Sequence, residues 1–119
     1  MQRRDAEVVR IERNNIEATR GDSIRFTIEL SGREIKEGTK ALFTVKSTPW
    51  EPTRPVIEYL LDVLDSKVHV LLETEDTTWL TSGDYVWDLR ILEPREDGGD
   101  NVLTPMEYGT FRLLEAIGE

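Results

Sequence analysis

The sequence predicts an all-β protein, an immunoglobulin-like antiparallel β-sandwich of about seven strands with one short helical turn before the sixth strand. Apolar and polar residues alternate with a period of two through most of the chain, and turn-forming residues separate the alternating segments. No segment carries the 3.6-residue apolar spacing of a long helix. The 119 residues fit one domain, and we expect residues 1–7 to form a flexible N-terminal tail.

Six segments alternate clearly, as expected of strands that bury one face. They are Ile24–Leu30, Ala41–Val45, Ile57–Val63, Val68–Leu72, Tyr85–Ile91 and Thr110–Ile117. A weaker segment runs from Val8 towards Ala18, and we expect it to change direction near Asn14-Asn15.

The connectors fit this assignment. The segment from Ser47 to Pro55 contains three prolines and is not expected to form a central strand. Asp65-Ser66 is the predicted tip of a hairpin, and Glu93–Asn101 is a predicted long polar loop.

The stretch before the sixth strand predicts two local structures. Asp76 is a capping-type residue that precedes one helical turn, from which Trp79 and Leu80 are expected to point inward. Tyr85, at the entry to the strand, is placed like the tyrosine of a tyrosine corner, with Trp87 deeper on the same face. The predicted structural core contains Phe26, Phe43, Trp79, Leu80, Tyr85, Trp87, Leu89 and Phe111.

Composition excludes several classes of function. The chain has no cysteine, which rules out disulfides and cysteine-ligated metal sites. Its formal net charge of −9 disfavours binding to nucleic acid or to an anionic membrane. No apolar run predicts a signal peptide or a membrane span. We expect no cofactor and no nucleic-acid or membrane partner.

Residues capable of chemistry do not form a catalytic pattern. His69, the only histidine, lies on the polar side of its strand, without the serine and carboxylate partners of nucleophilic catalysis. Arg20-Gly21-Asp22 is interpreted as a turn before the next strand. Two carboxylate clusters remain as alternatives for a glycosidase pair or, for the second, a Ca²⁺ site: Glu73, Glu75 and Asp76, and Glu96, Asp97 and Asp100. We expect no catalytic and no metal-binding residue.

Trp50 and Arg54 are the predicted interaction residues. Both lie in the proline-rich connector, where Trp50 either covers a sheet edge or is exposed to a partner. An exposed tryptophan also suits stacking on a sugar ring. The alternative function is therefore a small ligand-binding, carbohydrate-binding-like module.

A series of short motifs resembles a phage family. In order, they are Arg20-Gly21-Asp22-Ser23-Ile24, Phe43-Thr44-Val45-Lys46, Leu72–Thr77, Leu80–Leu89, Thr104-Pro105 and Gly109-Thr110-Phe111. The series resembles the N-terminal domain of the upper baseplate protein of siphophages and related small prophage proteins, from about residue 15 to the end. The resemblance implies an immunoglobulin-like sandwich that attaches a tail-tip part to the virion through protein–protein contacts.

The resemblance also sets the expected function. The sequence stops at Glu119 without a helical linker or receptor-side domain, which favours a small tail or virion accessory protein or an assembly adaptor over a host-binding arm. We expect a non-enzymatic phage or prophage structural protein that binds other tail or baseplate proteins or itself. It is expected in the virion, assembled in the bacterial host cytoplasm and not secreted by a signal peptide.

Overall fold

The computed structural model describes residues 10–12, 14–30, 35–48, 54–95, 98, 100–102 and 107–115. In this part of the chain, nine strands and one short helix form. They are β1 (Arg10–Glu12), β2 (Asn15–Thr19), β3 (Ile24–Glu29), β4 (Lys40–Lys46), β5 (Pro55–Asp62), β6 (Lys67–Leu72), α1 (Thr74–Thr78), β7 (Gly83–Pro94), β8 (Asp100–Val102) and β9 (Glu107–Leu114).

The strands form two sheets of unequal width. The large sheet has seven strands in the order β1-β2-β9-β7-β4-β5, with β8 paired to the far end of β7. The small sheet contains β3 and β6. All pairs are antiparallel except β2 with β9, which run parallel. The sandwich is therefore mainly, not wholly, antiparallel.

This topology confirms the predicted fold class. The large sheet has neighbouring strands β7 and β4 at its centre, with β9 beside β7 and β5 beside β4. It faces a pair formed by β3 and β6, which is the arrangement of an immunoglobulin-like sandwich. The seven predicted strands are present, with the first divided into β1 and β2. Asn14, between them, has a positive φ of 68°, which reverses the chain where the sequence predicts it.

The predicted hairpin at Asp65-Ser66 is present, but the predicted loop Glu93–Asn101 is shorter than expected. Asp65 and Ser66 have φ values of 52° and 59°, as a two-residue type I′ turn requires, and Leu64 and Lys67 exchange backbone hydrogen bonds across it. The predicted loop Glu93–Asn101 is wrong at both ends. Strand β7 continues to Pro94 and β8 begins at Asp100, because the two strands pair with each other.

The core lies between the two sheets, and β7 contributes most to it. Tyr85, Trp87, Leu89 and Ile91 alternate inward and are all less than one-tenth exposed. The ring of Phe43 packs between the rings of Phe26 and Trp87, with centroid separations of 5.7 and 5.9 Å. Phe111 and Leu80 are buried in the same cluster.

Helix α1 closes one end of the sandwich. Thr77 is fully buried, and its hydroxyl accepts a hydrogen bond from the backbone N–H of Gly21 in the β2–β3 turn (2.9 Å). The residue before the helix is Glu73, whose backbone N–H donates to the Asp76 carboxylate (2.7 Å), so Asp76 lies inside the first turn instead of preceding it.

The expected inward position of Trp79 is wrong. Leu80 is buried, but Trp79 is 65% exposed. Trp79 is the C-cap residue of the five-residue helix. Because the adjacent Leu80 points into the core, Trp79 faces solvent. Local pattern could not decide which of two adjacent apolar residues enters the core.

A tyrosine corner fixes the entry to β7. The Tyr85 hydroxyl donates to the backbone carbonyl of Thr81 (2.7 Å), while the ring stays buried. This bond closes the loop that precedes the strand and satisfies a polar group at the core's edge.

Candidate protein-interaction surface

The solvent-facing side of the large sheet brings together polar and apolar side chains from four strands. Strand register places Tyr108, Asp88, Thr44 and Glu58 in one row across β9, β7, β4 and β5. The flanking rows add four more residues. We call this set the outer sheet face: Leu42, Thr44, Glu58, Leu60, Val86, Asp88, Arg90 and Tyr108.

The centre of the outer sheet face is a polar network. The Thr44 hydroxyl donates to the Asp88 carboxylate (2.7 Å), and the Arg90 Nε atom lies 3.8 Å from the same oxygen. Thr44 is only 5% exposed although it faces away from the core, and its cross-strand partners are Glu58 and Asp88. This part of the face is therefore held in a fixed geometry.

Large apolar side chains flank this network. Tyr108 is 70% exposed on one side and Leu60 is 59% exposed on the other, with Leu42 half-buried next to Leu60. Aromatic and arginine side chains beside exposed apolar groups are typical of protein–protein interfaces. The arrangement can bind a protein surface that offers apolar contacts and hydrogen-bond partners.

Sequence reasoning missed Leu42, Leu60 and Tyr108, although a signal was present. Each occupies the polar phase of its strand's alternation: Leu42 next to Phe43, Leu60 next to Tyr59, and Tyr108 three residues before Phe111. An apolar residue on the solvent side of an alternating strand indicates an exposed apolar surface.

Only one of the two predicted interaction residues is described, and it is not part of the outer sheet face. Arg54 is exposed immediately before β5. Trp50 lies outside the described residues, as do the side chains of Glu96, Asp97 and Asp100 from the second carboxylate cluster. The expected interaction roles of Trp50 and Arg54 stay predictions, and the described residues do not test the alternative Ca²⁺ site.

A second exposed aromatic group lies at the helical end of the sandwich. Trp79 follows Thr78, whose carbonyl accepts a hydrogen bond from Arg20 (2.7 Å). Arg20 also pairs with Glu115 at 2.6 Å, and this hydrogen bond is the main reason that the pKa of Glu115 is lowered, with Ser82 adding to it. Arg20 is thus bound within the fold, which agrees with the interpretation of Arg20-Gly21-Asp22 as a turn.

The first carboxylate cluster has a structural role. The Asp76 carboxylate accepts hydrogen bonds from the Tyr59 hydroxyl (2.5 Å) and from the backbone of Glu73, and so joins β5 to α1. The Asp76 hydrogen bond, burial and the charges of Asp76, Glu73 and Glu75 raise the pKa of Tyr59 to about 12. The phenol therefore stays protonated and holds the helix to the sheet.

His69 is exposed, and its Nδ1 atom lies 3.0 Å from the Thr27 hydroxyl across the small sheet. Among the described residues, no group of three or more histidine, aspartate or glutamate side chains is placed to hold a metal ion. The described helix is far too short to cross a membrane.

Comparison with known proteins leaves the family open. No protein-family model and no curated protein sequence matches the chain. One similar structure is a candidate glycoside hydrolase from Bacteroides vulgatus, with 7% identity and a TM-score of 0.43 over 84% of this chain and 16% of that one. The chain therefore spans about a sixth of that protein.

A second structure is similar over a whole domain. The extracellular domains of the voltage-gated sodium channel β4 subunit, solved as parallel homodimers, have 15% identity and a TM-score of 0.40, over 92% of this chain and 98% of that one. At this level of similarity, no function can be inferred from either structure. The fold and the surface define an immunoglobulin-like domain with an exposed, partly apolar sheet face.

Proposed function

We propose that this chain is a non-enzymatic structural protein of a phage or prophage, a tail- or baseplate-associated module that binds other tail proteins. The outer sheet face is the single observation that carries the binding part of this proposal. Exposed Tyr108 and Leu60 flank the ordered polar centre around Asp88, which gives both apolar contact area and hydrogen-bonding specificity.

The phage part of the proposal comes from sequence. The motifs of the upper baseplate family coincide with positions that shape this domain: the Arg20 turn, the Phe43 strand, the Tyr85 corner and Gly109. A protein of this kind would assemble in the bacterial cytoplasm and function within the virion. Attachment requires affinity and a defined orientation, and it does not require catalysis. A rigid sheet face supplies both affinity and orientation.

Binding to tail proteins can be tested on the surface itself. The protein is co-expressed with the products of neighbouring genes, and complexes are measured by native mass spectrometry and calorimetry. Tyr108→Ala and Leu60→Glu are each expected to weaken the complex by about tenfold or more, because exposed aromatic and apolar anchors dominate such interfaces. Leu71→Glu is the matched control, since Leu71 is 39% exposed on the other sheet.

The outcomes separate clearly. Loss of binding in the two outer-face variants with retention in the Leu71 control supports the proposal. A wild-type protein that binds none of the tail proteins, or equal binding by all variants, would count against it.

Trp79 favours a second candidate function, a carbohydrate-binding-like module. Its ring is largely exposed, and Arg20, which pairs with Glu115, binds the carbonyl of the preceding residue, Thr78. An exposed aromatic ring suits stacking on a sugar. A glycan array tests this candidate with Trp79→Ala as the control. Retained glycans that the substitution abolishes would support it, and an array with no retained sugar would end it.

A further inference from the structure

In the described part of the chain, one edge of strand β3 is open. Among the described residues, β3 pairs only with β6, so the small sheet is two strands wide opposite a much wider large sheet. A groove of about 140 Å³ lies beside this edge, between β3 and the start of β2. Its apolar walls include Ile16, Phe26, Ile28 and Trp87. An extra strand next to β3 would cover this groove.

The direction of the free backbone groups follows from one hydrogen bond. The Leu30 N–H donates to the Ser66 carbonyl (2.8 Å), on the β6 side. Alternate residues of a strand direct their N–H and C=O groups to the same side. Those of Arg25, Thr27 and Glu29 therefore point away from β6, towards the open edge.

The sequence along this edge is self-complementary. From Ile24 to Leu30 the residues are apolar, basic, apolar, threonine, apolar, acidic and apolar. Consider a second copy of the strand that runs antiparallel to the first, with the two Thr27 residues opposite each other. Arg25 then lies opposite Glu29 of the second copy, and Phe26 lies opposite Ile28. Neither Arg25 nor Glu29 has an ion-pair partner within the described part of the protein, and both are exposed.

We infer that β3 is a homodimerisation edge, on which a second copy of this chain adds its own β3 in antiparallel register about a two-fold axis at Thr27. The pairs Thr27–Thr27, Arg25–Glu29 and Glu29–Arg25 are hydrogen-bonded pairs in this register, since their backbone groups face the edge. The small sheets then form one four-stranded sheet. This inference does not rest on the proposed tail function.

Two other edge strands, β5 and β6, lack this complementarity. Strand β5 carries Glu58, Leu60 and Asp62 on its outer side, so pairing about Leu60 sets Glu58 against Asp62 of the second copy. Like charges directly opposite each other destabilise a strand pair and protect an edge from association. If two copies of β6 paired antiparallel about His69, Lys67 would lie opposite Leu71 of the second copy, and no ion pair would form.

A charge-reversal series tests the register. Sedimentation equilibrium of the full chain is expected to give twice the 13.7 kDa chain mass. Arg25→Glu and Glu29→Arg each create two repulsive pairs because the axis repeats them, and each is expected to weaken dimerisation at least tenfold. The double variant Arg25→Glu/Glu29→Arg restores opposite charges and is expected to recover the dimer.

A matched control and one further variant complete the test. Glu58→Arg, on the β5 edge, is expected to leave the dimer unchanged, and urea unfolding checks that each variant folds. Thr27→Cys places the only cysteine of the chain on the axis. A hydrogen-bonded antiparallel pair separates Cα atoms by about 5.5 Å, within disulfide range, so mild oxidation is expected to cross-link it. Leu60→Cys serves as the comparison.

Recovery by the double variant together with selective cross-linking at Thr27 supports the inference. A folded wild-type monomer at all concentrations overturns it. A dimer that is insensitive to the single reversals, or a double variant that stays monomeric, overturns it as well, because a different surface would then hold the copies together.

Discussion

Replacing Gly109 with alanine tests how the β1–β2 hairpin is seated on the large sheet. A Cβ atom at Gly109 would lie 1.9 Å from the backbone oxygen of Asn14, far inside contact distance. The same oxygen accepts a hydrogen bond from the indole N–H of Trp87 (2.9 Å). The Asn14 side chain also donates to Glu107 (3.1 Å). Alanine cannot fit unless the hairpin tip moves and these bonds break.

The expected cost follows from two contributions. Forcing an extra methyl group into a packed contact costs about 1–3 kcal/mol. Loss of the part-buried bond from Trp87 to Asn14 adds about 1 kcal/mol, so we expect Gly109→Ala to destabilise by about 2–4 kcal/mol. Without the clash the sign would reverse, because glycine-to-alanine changes at compatible positions stabilise by about 0.4–1 kcal/mol.

Equilibrium urea unfolding followed by far-ultraviolet circular dichroism measures this change. At a slope of about 2 kcal/mol per molar urea, the midpoint falls by about 1–2 M. The double variant Gly109→Ala/Trp87→Phe supplies a control. If alanine already displaces Asn14 from Trp87, then Trp87→Phe costs less in the alanine background than alone. A stabilising Gly109→Ala, or full additivity in this cycle, would refute the reasoning.

Three further predictions concern the core and α1. Tyr85→Phe is expected to cost about 1 kcal/mol in urea unfolding, since it removes the bond to Thr81; no loss would exclude a stabilising corner. Trp87→Ala is expected to cost about 3–5 kcal/mol and Trp79→Ala less than about 0.5 kcal/mol, because only Trp87 is buried; equal costs would contradict these positions. Tyr59 has a pKa raised to about 12, so its contribution is complete below about pH 10 and is lost as the pH rises towards 12. Unfolding midpoints from pH 8 to 12 should therefore fall more in the wild type than in Tyr59→Phe, and parallel curves would argue against the bond.

The Tyr85→Phe substitution has a matched control. Tyr108→Phe controls for the loss of a hydroxyl, because Tyr108 is exposed and its hydroxyl has no hydrogen bond within the described part of the chain. It is expected to leave the urea midpoint unchanged. A similar cost for Tyr85→Phe and Tyr108→Phe would mean that the corner bond is not the cause.

Period-two alternation predicted the strands that matter most. In β7 it correctly placed four alternate residues from Tyr85 to Ile91 on the inward face. A strand with one face in the core and one in solvent must alternate apolar and polar residues, because successive side chains point to opposite faces. Turn-forming residues located the hairpin tip at Asp65-Ser66, and the φ values of the structure make it a type I′ turn. Short elements were harder: β8 has three residues and exists only because β7 pairs with it.

The interaction surface depended on pairing that no local pattern contains. Leu60 and Leu42 are 18 residues apart in sequence, and Tyr108 is distant from both, yet register brings them to one face. Sequence reasoning instead selected Trp50 and Arg54, which stand out only by composition. That selection rested on the composition of a connector, and the interaction roles of Trp50 and Arg54 stay predictions.

The sequence by itself determined the all-β sandwich, the orientation of its long strands, the tyrosine corner and the palindromic order of Ile24–Leu30. These depend on local steric preference and on which residues avoid water. Only the tertiary structure decided that Trp79 stays outside, that β2 joins β9 in parallel, that Asn14 lies against Gly109 and that β3 pairs with β6 alone among the described strands. Each of these depends on which distant strands become neighbours, and that is settled by packing the two sheets together.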